Sequence, residues 1–223
     1  MIVEKYGIQL KKITIEDIEL IRTKRNAENI SSKMIYREFI SPEQQLKWFN
    51  SINNFNNFYY LIIYNQQPIG LINDQNLDWK NLTSEAGLFV WEENYLKTIV
   101  PALATLTLME LGFEILSWNK TVIKVLASNQ EGLTYNKQIG FKVVNTHNGI
   151  VYMELDRESY KEKARKMIVS LTKSHVDKTL RITVNNSDVQ FIDKVHEFIS
   201  QFKILVTTVK KKDDTLFEYQ IIA

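Results

Sequence analysis

The 223-residue chain holds no cysteine, which removes disulfides, thiolate metal ligands and cysteine nucleophiles together. Its three histidines, His147, His175 and His196, show no metal-ligand spacing,. No strained G-x-S-x-G elbow is present to activate a serine,. With only 7 glycines the chain also lacks a nucleotide-binding glycine fingerprint,. What remains is acid–base chemistry from carboxylates and tyrosines, with arginine and aromatic rings for binding. Glu38, Asp78 and Glu85 are candidate bases, although isolated carboxylates mostly occupy surfaces and turns. Arg25 suits a phosphate, and Tyr36, Trp48 and Trp79 suit the face of a base or a sugar. Core packing and helix salt bridges account for the same residues nearly as well.

Those side chains must be held by an alternating set of elements. IQLKKIT (8–14) alternates like a half-buried strand, and IEDIELIRTKRN (15–26) places Ile15, Ile18, Leu20 and Ile21 near one helical face,. Ser41, Pro42 and Gln44 form a capping box with proline at the first helical position, which opens a helix over PEQQLKWFNSI,. FYYLIIYN, PIGLINDQNL and EAGLFVW, separated by turn formers, predict an antiparallel meander,. Residues 101–116 read as a strongly apolar helix starting at Pro101, followed by a buried strand over 121–129,. A short helix ended by Gly140 and a hairpin around Asn148-Gly149 complete the domain near Asp156,.

The fold class expected is therefore α/β (α+β), a mixed, mostly antiparallel sheet flanked by helices over 1–156. A helical connector over 157–174 and a small strand-helix-strand-strand extension over 175–223 follow. Residues 157–223 carry 13 Lys and Arg against 9 Asp and Glu, while the first 156 residues carry 15 against 17. Overall the net charge is +2, too balanced to draw nucleic acid over distance. Lys210, Lys211 and Lys212 are followed at once by Asp213 and Asp214, which suits a solvated turn,. No stretch approaches the ~18 apolar residues of a membrane span, and the charged start does not suit a signal peptide. A cytoplasmic protein with no membrane or nucleic-acid partner is expected.

The order of elements, and the string VIKVLASNQEGLTYNKQIGF (122–141) above all, resembles the GNAT superfamily of N-acetyltransferases and its pattern V.L.V...N..A..LY...GF. The stretch YYLIIYNQQPIGLINDQNLDWKNLTSEAGLFVW, Arg25-Asn26, the aromatic-rich Met34 to Phe39 and the Gln45 to Trp48 helix are similar to members that acetylate nucleotide-linked amino sugars, including that of pseudaminic acid biosynthesis, and to RimJ/RimL-like members. The resemblance covers nearly all of residues 6–156 and none of the extension.

The resemblance implies acetyl-CoA in a cleft between parallel strands 85–91 and 121–128, with the backbone near Leu88, Phe89 and Val90 pairing with the pantetheine. It implies Tyr135 as the acid for the departing thiolate and Asn129 as an anchor of the strand-to-helix turn or of the cofactor chain. It points to Glu85 as a base, and to Arg25, Tyr36, Trp48, Asp78 and Trp79 as walls of a small-amine acceptor site. The family's Gly-rich pyrophosphate loop falls on Leu96 to Pro101, where bulky residues replace the glycines, which leaves Lys97 and amides near Ala102 and Leu103 to meet an anion,. An N-acyltransferase is the first reading. A GNAT-like domain turned binding or assembly module is the second, and N-terminal acetylation of a protein keeps the chemistry but changes the acceptor. The C-terminal β edge suits a homodimer.

Overall fold

Tyr6 and Gly7 both take positive φ, 55° and 77°, and this tight turn joins β1 (Ile2–Lys5) to β2 (Ile8–Lys12),. The computed structural model describes residues 1–173, 175, 177, 179–185, 193, 205–210 and 214–220. Strand β1 turns Lys5 inward, where an alternating strand would place an apolar residue. Strand β2 ends at Lys12, two residues early, since Thr14 and Asp17 exchange capping hydrogen bonds and start a 3-10 turn (Ile15–Asp17). That turn leaves Ile15 exposed, off the face shared by Ile18, Leu20 and Ile21.

Helix α1 (Ile18–Asn26) and the short α2 (Glu28–Ser31) lead to α3 (Pro42–Ile52), whose Ser41 hydroxyl accepts from the Gln44 N–H as the capping box requires. The meander follows as β3 (Phe58–Tyr64), β4 (Gln67–Asp78) and β5 (Thr83–Val90). Five successive residues of β3, Phe58 to Ile62, are buried because helices cover both faces of the sheet,. Tyr60, Ile62 and Ile72 pack on one face, while Tyr59, Leu61 and Leu71 pack with Ile21 and Phe49 on the other.

A short α4 (Glu93–Leu96) precedes α5 (Val100–Glu110), which runs into a π-helical turn over Leu111–Ile115. The expected single helix over 101–116 therefore changes pitch at its end, and Gly112 lies there so close to Trp118 that a Cβ would come within 2.3 Å of the indole,. Strand β6 (Lys120–Leu126), α6 (Gln130–Ile139), β7 (Lys142–His147) and β8 (Ile150–Asp156) close this part. Gly140 caps α6 at φ 123°, and Asn148 and Gly149 at 49° and 72° form the hairpin turn,.

Helix α7 (Arg157–Ser159), a π-helical turn (Tyr160–Ala164) and α8 (Arg165–Leu171) run on without a break over the α5 face. Strand β9 (Leu180–Asn185) then pairs antiparallel with β1, and β11 (Asp214–Gln220) joins it to β10 (Leu205–Lys210). The sheet order is β10-β11-β9-β1-β2-β3-β4-β5-β6-β8-β7. The helix expected over 188–202, His196 and the three-lysine turn fall outside the described residues, apart from Asp193 and Lys210. Among the described residues no helix is long and apolar enough to cross a membrane. Beneath α5, Lys5 Nζ and Glu110 Oε1 meet at 2.9 Å with side chains 1% and 6% exposed, and Tyr6 Oη donates to the same oxygen at 3.3 Å.

Candidate active site

One pair of neighbours in this sheet is parallel. Strands β5 and β6 pair only through Thr83, Ser84 and Glu85 against Lys120, Thr121 and Val122. Beyond that point β5 stays with β4 as far as Val90, and β6 stays with β8 as far as Leu126. The two strands part like a wedge, and alternate backbone groups of β5 around Leu88, Phe89 and Val90 turn toward the gap. A cavity of about 1460 Å³ fills the wedge and reaches both faces of the sheet.

At the open end the cavity meets the start of α5. Pro101, Thr105, Leu108 and Gly112 line it at helical spacing,. The Val100 N–H donates to the Thr98 hydroxyl at 3.2 Å, Pro101 has no N–H, and the Leu103 N–H donates to the Ile99 carbonyl at 3.0 Å. Of the two amides expected to face an anion, Ala102 alone is left without an acceptor among the described residues. Exposed Lys97 lies at the same end. Across the gap Asn129 caps α6 by accepting from the Gly132 N–H at 2.9 Å,.

Tyr135, two turns into α6, points its hydroxyl at α5. Its Oη lies 2.7 Å from Thr105 Oγ1 and 3.3 Å from the Pro101 carbonyl oxygen, which Thr105 also reaches at 3.0 Å. When Thr105 donates to Tyr135, the phenolic proton goes to the Pro101 carbonyl oxygen or to a group in the wedge. Burial pushes this phenol up to about 12, with the Thr105 bond pulling the other way, so it stays protonated at working pH and can only act as an acid.

The opposite face carries a different chain of groups. Glu85 Oε1 accepts from the Gln75 amide at 2.9 Å and Oε2 pairs with Lys124 Nζ at 2.8 Å. Gln75 in turn accepts from the Tyr59 hydroxyl, a phenol pushed up to about 12 by burial. Both Glu85 oxygens are engaged, so an amine proton reaches it only on a remaining lone pair. The Trp48 ring meets Tyr59 edge-on at 5.1 Å. Arg25 gives one N–H to the Tyr36 carbonyl at 3.0 Å and lies 5.9 Å over the Phe89 ring, with no carboxylate beside it among the described residues. Burial lowers its pKa, without taking a guanidinium out of its charged form,.

No protein-family profile and no curated protein sequence matches the chain. Solved structures do. Apo FdhC, a nucleotide-linked sugar GNAT, superposes with a TM-score of 0.63 over 75% of this chain and 96% of its own, at 18% identity. The spermidine N-acetyltransferase of Vibrio cholerae, solved with CoA and spermine, gives 0.58 over 70% and 98%, at 18% identity. The Campylobacter jejuni N-acetyltransferase PseH in complex with acetyl coenzyme A gives 0.51 over 67% and 99%, at 25% identity. This chain has the GNAT fold. Each of these neighbours is covered almost end to end, so about a quarter to a third of this chain lies beyond what they share.

On the GNAT fold the wedge gathers eleven of the residues singled out from the sequence: Tyr135 and Glu85; Leu88, Phe89, Val90, Lys97, Ala102 and Asn129; and Arg25, Tyr36 and Trp48. Asp78 and Trp79 are not among the lining residues. Asp78 accepts from the Lys80 and Asn81 N–H groups at 3.0 Å each, tying the β4–β5 turn, and this holds its carboxyl below the usual range. Trp79 stacks on Phe55 at 4.7 Å and donates to Asn56 Oδ1 at 3.1 Å.

Asp74 lines the cavity and escaped the sequence reading. It lies on β4 next to Gln75 and so faces the α5 side, where the Ser84 hydroxyl donates to Oδ1 at 2.9 Å,. Burial pushes its carboxyl from 3.8 up to about 6, against the pull of Ser84 and, more weakly, of the Trp118 indole. A raised carboxylate pKa makes the folded state bind the proton more tightly than the unfolded chain. Stability from this group is therefore complete below about pH 4 and lost as pH rises toward 6. Asp74→Asn is expected to gain about 3 kcal/mol relative to the parent between about pH 4 and pH 8, read from urea unfolding at both values. A gain that does not change with pH would show that Asp74 titrates normally.

Proposed function

We propose that the chain is an acyl-CoA-dependent N-acyltransferase, taking acetyl-CoA as donor and a small amine, of the nucleotide-linked amino-sugar class, as acceptor. The observation that carries this reading is the wedge between β5 and β6, open to both faces, with the Tyr135–Thr105 hydroxyl pair at its wall. The wedge fits a thioester: a pantetheine chain finds unpaired strand backbone around Leu88 to Val90, while the Ala102 N–H and Lys97 stand at the phosphate end,. Bound there, the thioester supplies an activated acyl carbon.

The chain's residues then order the transfer. The amine nitrogen attacks the thioester carbon, the C–N bond forms and the C–S bond breaks, and Tyr135 gives its proton to the sulfur. Glu85 or a water beside it takes the amine proton. Arg25, free of any carboxylate among the described residues, suits a phosphate of the acceptor, and Trp48 and Tyr36 suit its ring faces. These features support a small anionic amine over a peptide, and nothing about them requires a metal.

A second reading rests on one observation. The start of α5 offers a single free amide because Thr98, Pro101 and Ile99 use or remove the others, so a GNAT fold that no longer holds a pyrophosphate would serve as a binding module. Calorimetric titration of acetyl-CoA separates the two. Micromolar binding that weakens at least about tenfold in Ala102→Asp is expected. Aspartate in the first turn suits the helix itself, so the loss reports repulsion of the phosphate and not unfolding. Absence of binding at millimolar acetyl-CoA would favour the module.

A further inference from the structure

We propose that Lys124 is a self-acylation site, the amine that takes the acyl group from a thioester in the wedge when no acceptor is bound. This rests on the donor reading above. Three lysines line the cavity, Lys33, Lys97 and Lys124, and all are exposed. Lys97 stands at the phosphate end, and Lys33 belongs to the segment after α2. Of the three, Lys124 is the one paired with the candidate base, its Nζ lying 2.8 Å from Glu85 Oε2. A resident ammonium thus occupies the carboxylate that an acceptor amine has to reach.

The register fixes where this pair lies. Glu85 is the last residue of β5 paired with β6, opposite Val122, and Lys124 is one step further along the same face of β6,. The ion pair therefore crosses the gap where the strands begin to part, while the Tyr135 hydroxyl serves the other face. Such a division suits attack on a thioester carbon from one side and protonation of its sulfur from the other. The Lys124 side chain is 39% exposed, and among the described residues Glu85 is its one ion-pair partner. An amine tethered in the site has a high effective concentration there.

The ammonium gives a proton to Glu85, and the neutral nitrogen attacks the thioester carbon. The C–N bond forms, the C–S bond breaks and Tyr135 protonates the sulfur. Of the two protons that the nitrogen loses, one replaces the Tyr135 proton and one goes to solvent, which leaves an amide and a free thiol. The amide carries no charge, so the ion pair across the gap is lost and the acyl group fills the acceptor's approach to Glu85. An acceptor amine seated on Glu85 displaces Lys124 and protects it.

Lys120 supplies the comparison. It lies on the same strand, is 41% exposed and pairs with Glu154 at 3.2 Å, yet does not line the cavity. The full chain is incubated with acetyl-CoA and no amine, and acetylation of each lysine is followed by peptide mass spectrometry. Lys124 is expected to react at least about tenfold faster than Lys120, Lys33 and Lys97, at a rate independent of protein concentration. Glu85→Gln and Tyr135→Phe should each slow Lys124 at least about tenfold and leave Lys120 within about threefold of the parent. Two variants on different elements keep the result readable if one misfolds. A Lys124 that reacts no faster than Lys120, keeps its rate in both variants, or speeds up with protein concentration overturns the self-acylation site. Calorimetric binding of acetyl-CoA in the same sample then leaves the donor reading in place. No acetylation at Lys124 together with no binding of acetyl-CoA overturns both.

Discussion

Lys5→Met is expected to destabilise the fold by about 3–5 kcal/mol, the range for stripping one partner from a buried ion pair. Lys5 Nζ and Glu110 Oε1 lie 2.9 Å apart, and their side chains are 1% and 6% exposed, so water cannot replace the lost ammonium. Among the described residues Glu110 Oε2 has no hydrogen-bond partner, and the Tyr6 hydroxyl donates to Oε1. Burial already raises the Glu110 pKa, with Lys5 opposing it. Without Lys5 the carboxyl must ionise alone or stay protonated. A raised carboxyl pKa brings its cost as pH climbs, so the deficit should be smallest near about pH 4 and grow toward neutrality. The double variant Lys5→Met, Glu110→Leu should recover most of the loss, since an apolar pair of similar size often matches a buried ion pair. Urea unfolding of the three proteins at two pH values checks this. A single-variant loss under about 1 kcal/mol would mean that the pair contributes little to docking β1 against α5.

That pair also marks where the sequence stopped being readable. Local signals were legible: the Ser41, Pro42 and Gln44 cap, the Gly140 stop and the Asn148-Gly149 turn each satisfy backbone groups within a few residues, and each forms. Strand β1 was not, because its inward lysine finds its partner 105 residues away. Asp74 was hidden for the same reason. An acid inside an apolar strand is indistinguishable from an exposed one until Ser84 and Trp118 are known to surround it. The wedge walls were legible only through the family likeness, since the parting of β5 from β6 is a property of two segments more than 30 residues apart. Asp78 shows the converse. Its turn-closing bonds to residues two and three ahead are the ordinary habit of aspartate in a turn,.

The largest functional effect is expected at Tyr135. Tyr135→Phe removes the only hydroxyl that α6 presents to Thr105 across the wedge and keeps the ring. If the phenol protonates the departing sulfur, kcat should fall about 10²- to 10⁴-fold, while binding of the thioester by calorimetry changes less than about threefold. With the phenol pushed up to about 12, the parent's rate should show no alkaline loss from this group over the working range. The rise of rate with pH then belongs to deprotonation of the amine. Thr105→Val tests the same proton from its other side. It deletes the bond that orients the phenol, so kcat should fall by about tenfold and KM for the thioester should stay put. Free-thiol release, followed continuously with a chosen amine, reads both variants. A Tyr135→Phe enzyme within about threefold of the parent would hand the proton to water and leave the tyrosine as packing between α6 and α5.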